Sequence, residues 1–375
     1  MRVLTIVVTL AVIGVVVVFA ATHHRTANYF VSHATRLGLG VLALFFGMQL
    51  NHNVLARRCR WWFLIATVAL LVITLALGIA AGDARRWIRI SSLGSIQPAE
   101  FAKYVLVIWL AAYFAGLRES GKVWGWRNSV VRPGLVALAV IGLTLAQPAI
   151  GTAAIMALST FGMFFLAGVR RAYLLQVAAV GSALIALTII FVPYARDRWH
   201  DFVTGDRRQQ RESVIAIGSG GPLGTGLGEG KQKYYFLPKM HNDFIFASIG
   251  EEFGFFGSLV IFALYALLFF RGMRIGQRST GDFGQYLAYG ISLTFFLYAL
   301  VHVAVTLMLI PTTGQPLPFV SYGGTALVTN LFAAGVLLNI SRHGRARMVL
   351  GEPSGGWGNP ARRGFQPTVV ARRLS

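Results

Sequence analysis

The chain has 375 residues, 55% hydrophobic and only 13% charged, with a mean hydropathy of +0.63. That is too apolar for a soluble domain, and long continuous apolar runs in place of short alternating strands exclude a membrane β-barrel, so the expected fold class is all-α, a polytopic bundle of transmembrane helices. The net charge of +21 is scattered among loops between apolar spans, which argues against nucleic acid and for membrane topology and an anionic, lipid-linked ligand.

At about 20 apolar residues per crossing, ten spans are predicted, at 3–21, 35–50, 61–81, 98–117, 132–147, 150–168, 172–192, 242–270, 284–310 and 322–341. The first run is too long for the apolar part of a cleaved signal and is read as a retained span. With the N-terminus inside, Arg57, Arg58 and Arg60, then Arg170 and Arg171, then Arg271, Arg274 and Arg278 all fall on the inner side, which supports that orientation and puts both termini in the cytoplasm. Residues 1–341 form the membrane domain, with one large extracytoplasmic loop over about 193–241. The Gly-, Pro- and Arg-rich stretch 342–375 reads as a flexible basic tail. Cys59 is the only cysteine, so no intrachain disulfide and no cysteine metal cluster exists.

Arg85, Arg86, Trp87 and Arg89 lie in the first outer loop, ahead of Gln97-Pro98-Ala99-Glu100-Phe101-Ala102-Lys103. Pro98 suits the first helical position, which makes Glu100 and Lys103 neighbours three apart on one face just inside the membrane. They are either a helix cap and a snorkelling lysine or a polar pair facing an outer cavity. In the second case the arginines above offer bidentate donors to phosphate, and Trp87 stacks on a sugar or sits in the interfacial aromatic belt. Gln147-Pro148-Ala149-Ile150-Gly151-Thr152 signals a turn. The glycine-rich run from Gly218 to Lys231 does not match a nucleotide phosphate loop, because Thr225 and Gln232 break the pattern; Lys231 remains a candidate anion contact.

Asp243 stands where the polar stretch Leu237-Pro238-Lys239-Met240-His241-Asn242 enters an apolar helix. An ionisable residue at membrane depth is functional by default. At roughly 100° per residue, Ala247, Gly250, Gly254 and Gly257 share its stripe, which predicts a groove of small side chains beneath the acid. On the same reckoning Glu251 and Glu252 cannot both face that groove. His241 is adjacent, although a lone histidine is more often structural than a ligand. Ser321 is a natural N-cap for the last span.

In order, Arg85-Arg86-Trp87, Gln97-Pro98-Ala99-Glu100 through Lys103, Gln147-Pro148 with Gly151-Thr152, Gly226-Leu227-Gly228, His241-Asn242-Asp243-Phe244, Gly250-Glu251-Glu252 and Thr313-Gly314 through Ser321-Tyr322-Gly323-Gly324 resemble the motifs of the SEDS proteins (shape, elongation, division and sporulation). The likeness runs from the second span to the tenth. Gly314-Gln315-Pro316-Leu317-Pro318 is more similar to the division type than to the elongation type.

The resemblance implies a ten-span peptidoglycan glycosyltransferase of the cytoplasmic (inner) membrane, acting at the division septum. Its substrate would be lipid II, the undecaprenyl-pyrophosphate-linked disaccharide peptide, and its partners a class B penicillin-binding protein (a transpeptidase) and other divisome membrane proteins. Asp243 matches the family's essential acid, and Glu100 and Lys103 its polar fourth-span motif. The chain departs from the pattern at Ala149, where an aspartate is usual, and at Lys239, where a glutamate is common.

On that footing Asp243 is the catalytic residue, a general base. Glu100, Lys103, Arg85, Arg86, Arg89, Trp87, Lys231 and His241 are the substrate-binding candidates. No cofactor is certain; a divalent cation, Mg or Mn, is the candidate for sharing the charge of the leaving phosphates. The alternatives from other classes are a flippase for the same lipid and a catalytically idle scaffold.

Overall fold

The computed structural model describes residues 2–22, 27–54, 60–81, 84–89, 95–121, 124–205, 208–230 and 243–349. Besides the single turn His52–Val54, they carry twelve α-helices: α1 (Arg2–Thr22), α2 (Ala27–Gln49), α3 (Arg60–Leu77), α4 (Pro98–Glu119), α5 (Arg132–Ala146), α6 (Ile150–Leu166), α7 (Arg171–Phe191), α8 (Pro193–Thr204), α9 (Arg208–Ser219), α10 (Ile245–Gln277), α11 (Asp282–Thr306) and α12 (Gly324–Val349). Eight are long and apolar enough to cross a membrane, and two shorter apolar helices, Trp61–Leu77 and Ile150–Leu166, lie where the third and sixth spans are predicted.

The bundle is built around α4, α11 and α12. Burial covers 78% of the apolar stretch in α4 and in α12 but 6% in α7, so α7 presents its apolar side chains outward, as lipid would require. Glycine brings α2 and α12 together: a methyl on Gly47 would stand 2.5 Å from the Phe332 carbonyl oxygen, and one on Gly335 would strike the Leu44 carbonyl. Close backbone approach through small residues is how helices pack where lipid removes the hydrophobic drive.

The first outer loop carries regular structure: β1 (Ile79–Ala81), β2 (Ala84–Arg89) and β3 (Ser95–Ile96) form a small antiparallel sheet in the order β1-β2-β3. Pairing of Ile88 with Ile96 and of Arg89 with Ser95 ties the arginine segment to the start of α4. The long loop likewise begins as two 12-residue helices, α8 and α9. α9 lies across the end of α11, where Gln210 Nε2 donates to the Val305 and Ile310 carbonyls at 2.9 Å each and Ser213 Oγ to that of Thr306 at 2.9 Å. Those carbonyls belong to the last turn of α11 and the residues after it, where no intrahelical donor is available. The last helix continues to Val349, past the predicted end of the membrane domain.

The predicted groove beneath Asp243 is filled. Gly250 is packed on Ile217 of α9, whose Cγ1 would lie 2.7 Å from an added methyl, and Gly220 and Gly224 press on the carbonyls of Gly250 and Glu252. The stripe also ends where α10 breaks, because Gly254 has φ 67° and ψ −165°, a conformation essentially confined to glycine. An unbroken helix would bond Phe255 N–H to Glu251 O and Phe256 N–H to Glu252 O. Instead Phe255 N–H donates to Gly221 O (2.9 Å) and Phe256 N–H to Pro222 O (3.2 Å), while Glu251 O accepts from Thr225 N–H (2.9 Å) and Glu252 O from Gly226 N–H (3.2 Å). The glycine-rich segment therefore substitutes for a missing turn of helix. Glu251 and Glu252 are both buried, and Gly230 closes over Glu251, whose Oε2 would stand 2.8 Å from an added methyl.

Gly254→Ala should destabilise the fold. Its methyl would collide with the Gly224 nitrogen and the Leu223 and Pro222 backbone, on top of backbone strain of about 1–3 kcal/mol. The expected result is a lower melting temperature in detergent and faster hydrogen exchange at the Thr225 and Gly226 amides. Unchanged exchange at those amides would mean that the segment does not depend on the break.

Candidate active site

Asp243 is the first described residue after position 230 and stands in the turn just ahead of α10. Phe244 anchors that turn. It is buried among Ile155, Ala216, Ala247, Tyr298 and Val301, and its carbonyl accepts the Ala247 N–H at 2.9 Å. Asp243 is partly accessible as a residue, with its Oδ1 buried.

Opposite the acid runs the segment 311–323, which has no helix and yet lies largely inside the protein. Gln315, Leu317, Phe319, Val320 and Ser321 are buried. Irregular backbone is tolerated at membrane depth only where protein satisfies it, and here it does. His302 Nδ1 donates to the Gln315 carbonyl at 2.8 Å, the Tyr265 hydroxyl donates to that of Pro318, and Ser321 Oγ accepts the Leu317 N–H at 2.8 Å. Ser321 thus closes the turn from Leu317, three residues ahead of α12, and is not the N-cap that its position in the sequence predicts. Gly314, with φ 64°, brings this segment under the acid: a methyl there would lie 3.9 Å from Asp243 Oδ2.

The Glu100–Lys103 pair lies elsewhere than expected. Pro98 does occupy the first turn of α4, and Lys103 Nζ is 2.6 Å from Glu100 Oε2, but the two side chains are only 1% and 3% exposed. They do not line an open outer cavity. Lys103 Nζ sits 4.1 Å over the ring of Tyr298 and 4.9 Å over that of Tyr104, and cation–π contact of this kind partly replaces lost water. Tyr298 donates to Glu100 Oε1 at 3.3 Å, and Tyr104 donates to Asn330 Oδ1 at 2.6 Å.

From this pair a chain of polar groups leads back to Asp243. The Tyr298 hydroxyl neighbours Thr152, Gln315 Nε2 donates to Thr152 Oγ1 at 3.2 Å, and Gly314 is the adjoining residue. Gly151 fits against the Thr313 carbonyl and the Gln315 side chain. The motif at Gln147–Thr152, legible only as a turn, therefore carries the wall against which the Gly314 segment is seated. Ala149 is buried, so the usual aspartate of this position is replaced here by a small apolar side chain in the interior.

Of the arginines of the first outer loop, Arg86 has a partner away from Glu100. The Arg86 guanidinium turns to Tyr194 of α8, 3.5 Å from its hydroxyl. Trp87 is half-buried and Arg89 exposed, while Arg85 is placed by its backbone alone, opposite Ala80. Lys231 and His241 lie outside the described residues. Among the described residues no three His, Cys, Asp or Glu side chains are grouped to hold a metal ion. One carboxylate with substrate phosphates is a set that Mg²⁺ accepts only when the substrate is present. Tyr298, His302, Thr152 and Gln315 were missed as site residues; the available signal was a tyrosine and a histidine four apart inside an apolar span.

Removing one member of a buried ion pair strands the other, at a cost of about 3–5 kcal/mol. Lys103→Met should accordingly lower the melting temperature of the purified protein, and the double variant Glu100→Gln with Lys103→Met should recover most of that loss. A single variant as stable as wild type would show that the pair is not held in the interior.

The family of cell cycle proteins described by FtsW, RodA and SpoVE matches residues 1–346. A relative from Trichlorobacter lovleyi, named probable peptidoglycan glycosyltransferase FtsW, is 36% identical over 354 residues, covering 90% of this chain and 92% of its own. The crystal structure of the rod shape determining protein RodA from Thermus thermophilus superposes with a TM-score of 0.69 at 25% identity, over 91% of this chain and 96% of that one. A chain from work on the structural coordination of polymerization and crosslinking by a peptidoglycan synthase complex superposes with a TM-score of 0.77 at 24% identity, over 92% and 97%. With the ordered motifs, the shared fold and a relative of this identity in agreement, the chain belongs to the FtsW/RodA/SpoVE family of cell cycle proteins.

Proposed function

We propose that the chain is a peptidoglycan glycosyltransferase that polymerises lipid II at the end of the bundle carrying the sheet, α8 and α9, which faces outward from the cytoplasmic membrane. The observation that carries this reading is a partly accessible acid, Asp243, placed over Gly314 at the mouth of a buried polar chain. The names of the relatives support it, and so does the apolar bundle, which suits a lipid-linked substrate.

In this reading Asp243 accepts the proton of the attacking sugar hydroxyl as its oxygen bonds to the anomeric carbon of the donor. The bond from that carbon to the diphosphate oxygen breaks, and its electron pair leaves with the polyprenyl diphosphate. General-base help of this kind contributes about 10² to 10⁴ in rate. Arg85, Arg86, Arg89 and Lys231 serve the diphosphate, and Trp87 and His241 serve the sugars. Glu100 and Lys103 act through Tyr298, Thr152 and Gln315 as positioning residues. A divalent cation would arrive with the substrate, held by Asp243 and the phosphates, and would add charge to offset that of the leaving group.

A transpeptidase of the penicillin-binding class B type would cross-link the strands beside the chain, with other divisome membrane proteins at the septum. The likeness to a chain of a peptidoglycan synthase complex supports that partnership. Both termini would then be cytoplasmic.

The test is purified protein, alone and with its transpeptidase, incubated with lipid II and assayed for glycan strands. Asp243→Asn preserves size and removes the base, so strand synthesis should fall by about 10² or more while the melting temperature stays near that of wild type. Long strands from the Asn variant would refute the role of Asp243, and lipid translocation without polymer would replace the reading with a flippase.

A further inference from the structure

Arg198 of α8 was not singled out by any motif, yet it occupies a junction of three separate segments. Its Nη2 is 3.1 Å from the Tyr194 hydroxyl, which also receives Arg86 Nη2 of β2 at 3.5 Å, and its Nη1 donates to Thr312 Oγ1. Both guanidiniums lie over the Tyr194 ring, at 5.3 and 5.8 Å from its centre. All four side chains are half-buried.

This arrangement is electrostatically incomplete. Two cations share one neutral phenol oxygen, and among the described residues the ion pairs are Lys103–Glu100 and Arg118–Asp282, neither of which involves these arginines. Asp197 and Asp201, on the same helix as Arg198, are exposed and make no ion pair with it. Burial raises the Tyr194 phenol, but Arg198 and Arg86 outweigh burial and bring it below its ordinary value of 10.0. The two arginines therefore already favour negative charge at that point. A planar guanidinium pairs with two oxygens of a phosphate at once, and a diphosphate carries enough oxygens for both arginines while leaving the phenol and the threonine hydroxyl as neutral donors.

Position argues for the same ligand. Thr312 is two residues from Gly314, so the backbone between them spans at most about 7 Å, and Gly314 lies directly under the Asp243 carboxylate. An anion held by Arg198 and Arg86 would thus sit within one substrate head group of the base. α8 also exposes Trp199 and Val203, as a helix lying at a membrane surface does, which sets the pair at the depth where a lipid phosphate resides.

We propose that Arg198, Arg86, Tyr194 and Thr312 form the binding site for the diphosphate of the lipid-linked sugar, with Arg198 as its main cation. The assignment rests on the glycosyltransferase reading for the identity of the lipid. Binding of the anion draws the guanidiniums off the Tyr194 oxygen and links α8 to the Gly314 segment, so a loaded diphosphate also braces the floor of the active site.

The test measures binding, not turnover. The full chain in detergent is titrated with a polyprenyl diphosphate, with inorganic pyrophosphate and with phosphatidylglycerol, as wild type and as Arg198→Gln, Arg86→Gln and Tyr194→Phe. Loss of a charged, bidentate contact should weaken binding of both diphosphates about tenfold or more in either arginine variant. Tyr194→Phe removes one neutral donor and should weaken binding of both diphosphates by about two- to tenfold. Failure of the glycosyltransferase reading would show separately, as strand synthesis that survives Asp243→Asn, without altering these affinities. The site is refuted if both arginine variants bind polyprenyl diphosphate as wild type does, if only free pyrophosphate responds to them, or if phosphatidylglycerol shows the same losses, which would reduce the effect to general surface charge.

Discussion

A backbone amide or carbonyl left without a partner inside a membrane costs several kcal/mol, and the active end of this protein is built by meeting that constraint in two places where helix is absent. At Gly254 the helical ladder of α10 is interrupted, and the segment Gly221–Gly226 supplies the missing donors and acceptors one for one. At 311–323 an irregular segment enters the bundle and is held by His302, Tyr265 and its own Ser321. The first interruption packs the glycine-rich loop and α9 against the start of α10, and the second sets Gly314 beneath Asp243. Without either, the carboxylate would sit on a plain helix end.

The buried ion pair has a different standing from the acid. Asp243 is partly accessible and faces the backbone at Gly314. Glu100 and Lys103 are enclosed by aromatic rings and contribute through what they hold in place. A buried salt bridge is weak grounds for stability, because desolvation consumes much of the Coulombic gain. Its value here is geometric: it orients Tyr298, which reaches Thr152, which receives Gln315. Arg86 of β2 and Arg198 of α8 form a separate cationic group, meeting at Tyr194.

Features set by local rules were legible in the sequence. The apolar runs marked the spans, Pro98 marked the start of α4, the three-residue spacing paired Glu100 with Lys103, and the polar stretch before Phe244 placed Asp243 at a helix entrance. What could not be read depended on contacts between residues far apart in the chain. Nothing local distinguishes Gly254, as the point where a helix breaks, from Gly250, which stays helical, because the partner that makes the break tolerable lies some thirty residues earlier. The groove inferred from the Gly and Ala stripe failed for the same reason, since the small residues are used to admit Ile217 and the loop rather than a ligand. Arg198 and Tyr194 looked like ordinary loop residues until α8 formed and brought them to Arg86.

Whether the chain of polar groups from Glu100 to Gly314 holds the site together is most directly measured by a double-mutant cycle on lipid II polymerisation, pairing Tyr298→Phe with Gln315→Ala. Residues acting in one network are coupled, typically by about 1 kcal/mol or more, so the double variant should depart about fivefold from the product of the single losses. Losses that simply multiply would contradict a site seated by that chain.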